Sequence, residues 1–124
     1  MKSINEVTLL GHLGQPPTLR HTQSGLPVCN FSVATNEVFT NGNEKQERTT
    51  WHSVIAWKNL AETCQKFLDK GSRVLVRGRL QTRDYELEGQ KRTKVEVVAT
   101  YVVFLDPKKE SVGSGEVIDD DIPF

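Results

Sequence analysis

Between Trp51 and Tyr85 the periodicity of the chain changes twice, and that stretch restricts what the rest can become. From Trp51 to Trp57 a period of two puts Trp51, Ser53, Ile55 and Trp57 on one side of a strand and His52, Val54 and Ala56 on the other. From Lys58 to Lys70 the apolar residues Leu60, Cys64, Phe67 and Leu68 are spaced for one face of a helix, with Gly71 as its expected C-terminal cap. From Arg73 to Tyr85 the period of two returns. Val74, Val76, Leu80 and Thr82 are expected inward, and Arg73, Arg77, Arg79, Gln81, Arg83 and Tyr85 outward. Aromatic rings flanked by guanidinium groups on neighbouring strands suit splayed bases and their phosphates, since every base offers a face for stacking.

The flanking sequence supplies more strands. Val7, Leu9, Leu10 and Leu13 read as a first strand, whose interior Gly11 marks a bulge or a close backbone approach. After a loop around Ser24-Gly25, Val28 to Val38 forms a second, and Asn41-Gly42 carries a hairpin signal. The polar Glu44 to Arg48 is expected to extend that turn into a mobile arm before the third strand begins near Thr49. A fifth strand runs from Thr93 to Phe104. The order is β-β-β-α-β-β: an all-β chain, expected to be a five-stranded OB-fold barrel with one helix between its third and fourth strands.

A chain of 124 residues suits one domain, here 1–105, followed by a linker at 106–118 and an acidic tip at 119–124. The zero formal charge hides an asymmetry, because residues 1–105 balance at +4 and residues 106–124 at −4. The body is basic, as a polyanion binder requires. Residues 108–117 are polar with a Ser/Gly-rich centre, so the tail is expected to be disordered. It ends on Asp119, Asp120, Asp121, Ile122, Pro123 and Phe124, three carboxylates followed by apolar residues, in the manner of a docking peptide.

Cys29 and Cys64 stand alone in apolar contexts and read as small buried hydrophobes, with a disulfide or metal site as the competing reading. His12, His21 and His52 lack metal-ligand spacing, and no phosphate-binding glycine loop, paired catalytic carboxylates or nucleophile elbow is present. We therefore expect a binding protein, not an enzyme, without metal or cofactor. Met1 to Glu6 lacks the apolar run of a signal peptide and no stretch is long enough to span a bilayer, so a cytoplasmic protein without membrane association is expected.

Several stretches together resemble bacterial single-stranded DNA-binding proteins: 5–14, Phe31 to Thr35, Trp51 to Val54, Leu60 to Glu62, Lys70 to Ser72 and Asp119 to Phe124. The resemblance implies a homotetramer that coats single-stranded DNA during replication, recombination and repair, associated with the nucleoid, and that recruits enzymes through its acidic tip. Carried over by position, it implies base stacking on Phe39, Trp51, Trp57 and Tyr85 and phosphate contacts from Arg20, Lys58 and Arg83, joined by Arg79 of the cationic strand face. It implies that His52 lies in the contact between two protomers, and that Arg73, Leu75 and Arg77 lie where dimer packs on dimer. The chain departs from the family where Ser53 and Gln81 replace the arginines of many members. Its linker is also short, reaching at most roughly 45 Å. Two readings compete with DNA binding: an OB-fold adaptor that binds only proteins, and an RNA-binding module.

Overall fold

The computed structural model describes residues 2–106; the linker and acidic tip expected beyond Asp106 lie outside the described residues. Six strands and one helix follow in the order β1 (Val7–Leu13), β2 (Thr18–His21), β3 (Pro27–Asn41), β4 (Glu44–Trp57), α1 (Lys58–Phe67), β5 (Arg73–Leu87) and β6 (Gln90–Phe104). Five long strands close a barrel. β1 runs antiparallel to β5, β5 to β6 and β4 to β3, while β4 and β6 are parallel at Val54/Val97 and Ile55/Val98. The seam closes where His12 and Leu13 of β1 meet Ala34 and Val33 of β3. Gly11 permits this closure, since a Cβ there would stand 2.0 Å from the Ala34 carbonyl oxygen. The glycine in the first strand marks a close backbone approach.

Alternating residues from all five strands fill the barrel: Leu9, Leu13, Cys29, Phe31, Val33, Val54, Val74, Val76 and Val97, among others. The helix closes one end by adding Ala61 and Cys64, both fully buried. Cys29 and Cys64 are free thiols, and burial pushes them up to about 11 and about 12 respectively, so they stay protonated at neutral pH.

Four expectations are corrected. The loop before Val28 contains a short sixth strand, β2, which pairs with β3 from Thr18/Asn30 to His21/Pro27. Its polar sequence has no apolar alternation to announce it, and the neighbouring strand supplies its hydrogen bonds. Glu44 to Arg48 is not a mobile arm: every residue from Glu44 to Trp57 is registered against β3, so the two-residue Gly42-Asn43 turn joins a long hairpin. Gly71 does not cap the helix, which ends at Phe67 with the Leu68 amide donating to the Cys64 carbonyl. Gly71 instead takes a left-handed φ of +85° in the turn from Asp69 to Ser72, and its amide donates to the Leu13 carbonyl. Finally, Leu80 and Thr82 are not core residues: both are exposed, Leu80 at 45% although it lies opposite the buried Val97. β6 stays in the barrel as far as Val97, which faces Leu80 and pairs with β4; from Gln81 to Glu96 the β5–β6 hairpin pairs only with itself among the described residues and forms a two-stranded arm. Asn5 secures the base of the arm, donating to the Leu80 carbonyl and accepting from the Leu80 amide.

Candidate nucleic-acid interface

Directly opposed residues in a ladder share a face, so register places side chains on the outer surface. On β3 and β4 the outward pairs are Ala34/Trp51, Ser32/Ser53, Asn30/Ile55 and Val28/Trp57. On β5 and β6 they are Arg79/Val98, Gln81/Glu96, Arg83/Lys94 and Tyr85/Arg92. Val28, Ile55 and Val98 pack together as an apolar floor outside the barrel. Trp57 stands at one end of this surface and Trp51 at the other, 39% and 58% exposed. Large rings left this open are not core residues. The Trp51 ring lies across Gly14, where a Cβ would come within 2.4 Å of it.

Two clefts, of about 490 and 370 Å³, cross the surface and share three lining residues: Arg20, Asn30 and Arg83. The larger also takes Ser32, Ser53 and Lys94, and the smaller Val28, Ile55 and Trp57. Arg20 reaches them because β2 sets it beside Val28, and its Nη2 donates to Asn30 Oδ1 at 2.7 Å. Arg83 comes from the base of the arm. Its guanidinium lies 6.0 Å from the Tyr85 ring centre, and its Nε donates to Glu96 Oε1 at 3.1 Å. Trp57, a hydrophobic floor and three cations line these two adjoining clefts, and Trp51 and Tyr85 stand on the same surface, an arrangement that can stack bases and bind their phosphates. Among the described residues, no cluster of three His, Cys, Asp or Glu side chains is placed to hold a metal ion.

The structure thus brings Trp51, Trp57, Tyr85, Arg20, Arg79 and Arg83 to one outer surface. Lys58 does not line either cleft; it follows Trp57 as the first helical residue, with a left-handed φ of +59°. Phe39 falls on the other face of the β3–β4 ladder, opposite Gln46, where the Arg48 guanidinium lies 5.0 Å from its ring centre. His52 is on that face too, hydrogen-bonded at 2.9 Å to Thr35 Oγ1. The sequence reading missed Asn30, Lys94 and Glu96. Glu96 had a visible signal, as a lone carboxylate inside the run Val95-Glu96-Val97-Val98.

Arg73, Leu75 and Arg77 occupy a second surface. They face His12, Leu10 and Thr8 of β1, and on the other side Leu75 and Arg77 face Val103 and Tyr101 of β6. Here the arginines are answered locally. The Arg73 amide and Nε donate to the two Asp106 carboxylate oxygens, at 2.7 and 3.2 Å, and the Arg77 guanidinium lies 5.6 Å from the Tyr101 ring centre. An apolar groove of about 580 Å³ beside them is lined by Leu10, Gly11, Ala34 and Leu105.

A closed barrel of this strand order with a helix at one end is an OB-fold, and its aromatic and cationic surface is of the kind that binds nucleic acid. Residues 4–105 match the Single-strand binding protein family, and the chain belongs to that family. Single-stranded DNA-binding protein 1 of Chlorobaculum tepidum is 41% identical over 118 residues, 93% of this chain and 73% of the relative. A Single-stranded DNA-binding protein of Neisseria meningitidis serogroup A is 40% identical, over 90% of this chain and 65% of the relative. Among solved structures, a Plasmodium falciparum SSB in complex with ssDNA superposes with a TM-score of 0.79 at 34% identity, covering 86% of this chain and 98% of that one. Proteins of this family bind DNA and are not enzymes.

Proposed function

We propose that this chain binds single-stranded DNA without sequence preference, laying it along the groove between Trp51 and Trp57. The observation that carries this reading is the pair of adjoining clefts lined by Trp57, Arg20, Arg83 and Lys94, on the same outer surface as the exposed Trp51 and Tyr85 rings. The flat rings accept any base, and cations such as Arg20 and Lys94, which have no carboxylate partner among the described residues, add a salt-dependent affinity for phosphate. The relatives and the solved complex named above support the choice of single-stranded DNA as ligand. Titration with oligo-dT should quench the tryptophan emission, and duplex DNA should compete poorly. Equal affinity for duplex would overturn the reading, and a higher affinity for RNA would favour the RNA-binding alternative.

On the same basis we assign the chain a role in replication, recombination and repair. The acidic tip, Asp119 to Phe124, serves as the docking peptide for partner enzymes: Phe124 fills an apolar pocket, and the carboxylates meet basic residues around it. Removing Ile122 to Phe124 should abolish partner capture and leave DNA affinity nearly unchanged. The chain assembles as a homotetramer through the surface around Leu10 and Leu75. Two features support this: the exposed Leu10 and Tyr101 side chains, and an edge of β1 from Thr8 to Gly11 that has a strand partner, β5, on one side only among the described residues. Light scattering at micromolar concentration that finds monomers or dimers would refute the tetramer and leave the DNA-binding claim standing.

A further inference from the structure

Glu96 is the one charged side chain among the described residues that is fully buried, at 1% exposure, and it lies beneath a surface otherwise built for a polyanion. Burying a carboxylate is costly unless its charge is answered, and an acidic group under a phosphate-binding groove also opposes the ligand. One oxygen is answered: Arg83 Nε donates to Oε1 at 3.1 Å. Oε2 is buried with no hydrogen-bond partner among the described residues. The other charges on this part of the groove are cationic. Lys94 sits directly across the ladder from Arg83, and Arg20 joins them across the shared clefts. Among the described residues Arg20 is held only by a neutral amide, so it meets the ligand with its full charge.

We propose that Glu96 neutralises Arg83 in place and so makes it a directional contact, not a charge-neutralising one. The Nε–H is consumed by the carboxylate, which fixes the plane of the guanidinium, beside the Tyr85 ring, and leaves the two terminal nitrogens of a residue that lines both clefts outside that ion-pair contact. Those nitrogens donate hydrogen bonds to the strand, and the plane offers a surface for a base. The ion pair as a unit brings no net charge to the phosphates. Counterions leave a nucleic acid in proportion to the positive charge brought to it, so the Arg83–Glu96 pair adds nothing to the salt dependence of binding, whereas Arg20 adds its full share. Glu96 is therefore a positioning residue that also sets how steeply affinity falls with salt.

This inference rests on the reading of the groove as a single-stranded DNA site, and measured salt slopes separate the two. Oligo-dT affinity is measured across a salt series for the unmodified chain, Glu96→Gln, the double variant Arg83→Ala/Glu96→Gln, and Arg20→Ala. The glutamine keeps an oxygen for Arg83 Nε and removes the charge. Its slope should steepen by about 0.7, so that its advantage over the unmodified chain shrinks about 2.6-fold between 50 and 200 mM salt. Arg20→Ala should flatten the slope by about the same amount. The double variant leaves no charge unpaired, and it should bind more weakly at every salt with the slope of the unmodified chain. An unchanged slope for Glu96→Gln, or a double variant whose slope is flatter by about 0.7, overturns the proposal; the second criterion decides alone if the single variant does not fold. No binding of oligo-dT by the unmodified chain would overturn the DNA-binding reading along with it.

Discussion

The barrel carries two outer surfaces that contain the same residue types and treat them differently. On the groove side, Trp51 and Trp57 are exposed, and Arg20 and Lys94 have no carboxylate partner among the described residues. On the side of Leu10 and Leu75, Arg73 is bound twice by Asp106 and Arg77 lies over Tyr101, which leaves a largely apolar patch. Strand β5 supplies both, Arg73 to Arg77 to the second surface and Arg79 to Tyr85 to the first. The division falls at a bulge. Arg77 pairs with Tyr101 and Gly78 with Ala99, so Thr100 is the extra residue, and its hydroxyl donates to the Arg77 carbonyl. What register sets beside an outward arginine thus decides whether a carboxylate or a ring answers it.

The substitution with the largest expected effect removes both surfaces at once. Gly11→Ala would drive a methyl group against the Ala34 carbonyl at the seam, and the cost should be about 3 kcal/mol or more. A fall in melting temperature of more than about 10 °C, with DNA binding and assembly lost together on heating, is the expected result. Unaltered stability would mean that β1 closes on β3 less tightly than described.

Trp51→Ala should affect the groove alone. Loss of one stacking platform should weaken oligo-dT binding by about 1 to 3 kcal/mol at every salt concentration, with no change in oligomeric state by light scattering. Should assembly change with it, the two surfaces are not independent.

Raising the pH should weaken both surfaces equally, through the core they share. The thiols of Cys29 and Cys64 are held at about 11 and about 12 in the folded chain, against an ordinary 9.0. Above pH 9 the unfolded chain releases these protons while the folded chain keeps them, so stability should fall as pH rises through this window. The slope should be at most about 1.4 kcal/mol per pH unit for each thiol. Urea midpoints at pH 8 and 10.5 check this, and a Cys29→Ala/Cys64→Ala chain should lose that part of the pH dependence.

The smallest effect is expected from Asp106→Asn, which weakens an exposed ion pair worth up to about 1 kcal/mol. It should loosen assembly slightly, by concentration-dependent light scattering, and leave the salt slope of DNA binding unchanged. A shifted slope would show that Asp106 acts on the groove as well.

Much of this architecture is legible in the order of residues alone. Alternation from Trp51 to Trp57 places both tryptophans on one side, and the change of period at Lys58 locates the helix. Other parts have no local signal. β2 has no apolar alternation and exists as a strand through its pairing with β3, yet it delivers Arg20 to the groove. Leu80 and Thr82 continue the inward alternation of Val74 and Val76, but both are exposed where the β5–β6 hairpin runs out into its arm.

What the chain determines by itself are properties of neighbours in sequence: which residues alternate, where the period changes, and where charge accumulates. Each depends on backbone geometry that repeats every two or 3.6 residues. Tertiary structure decides which arginine meets which carboxylate. Arg83 with Glu96, Arg73 with Asp106 and Arg20 with Asn30 are pairs joined across strands. Their meeting depends on register, and a slip of one residue would turn every side chain of a strand to the other face. Turns, the seam at Gly11 and the bulge at Thr100 set that register, so the division of one cationic strand into two surfaces comes from packing that no local pattern encodes.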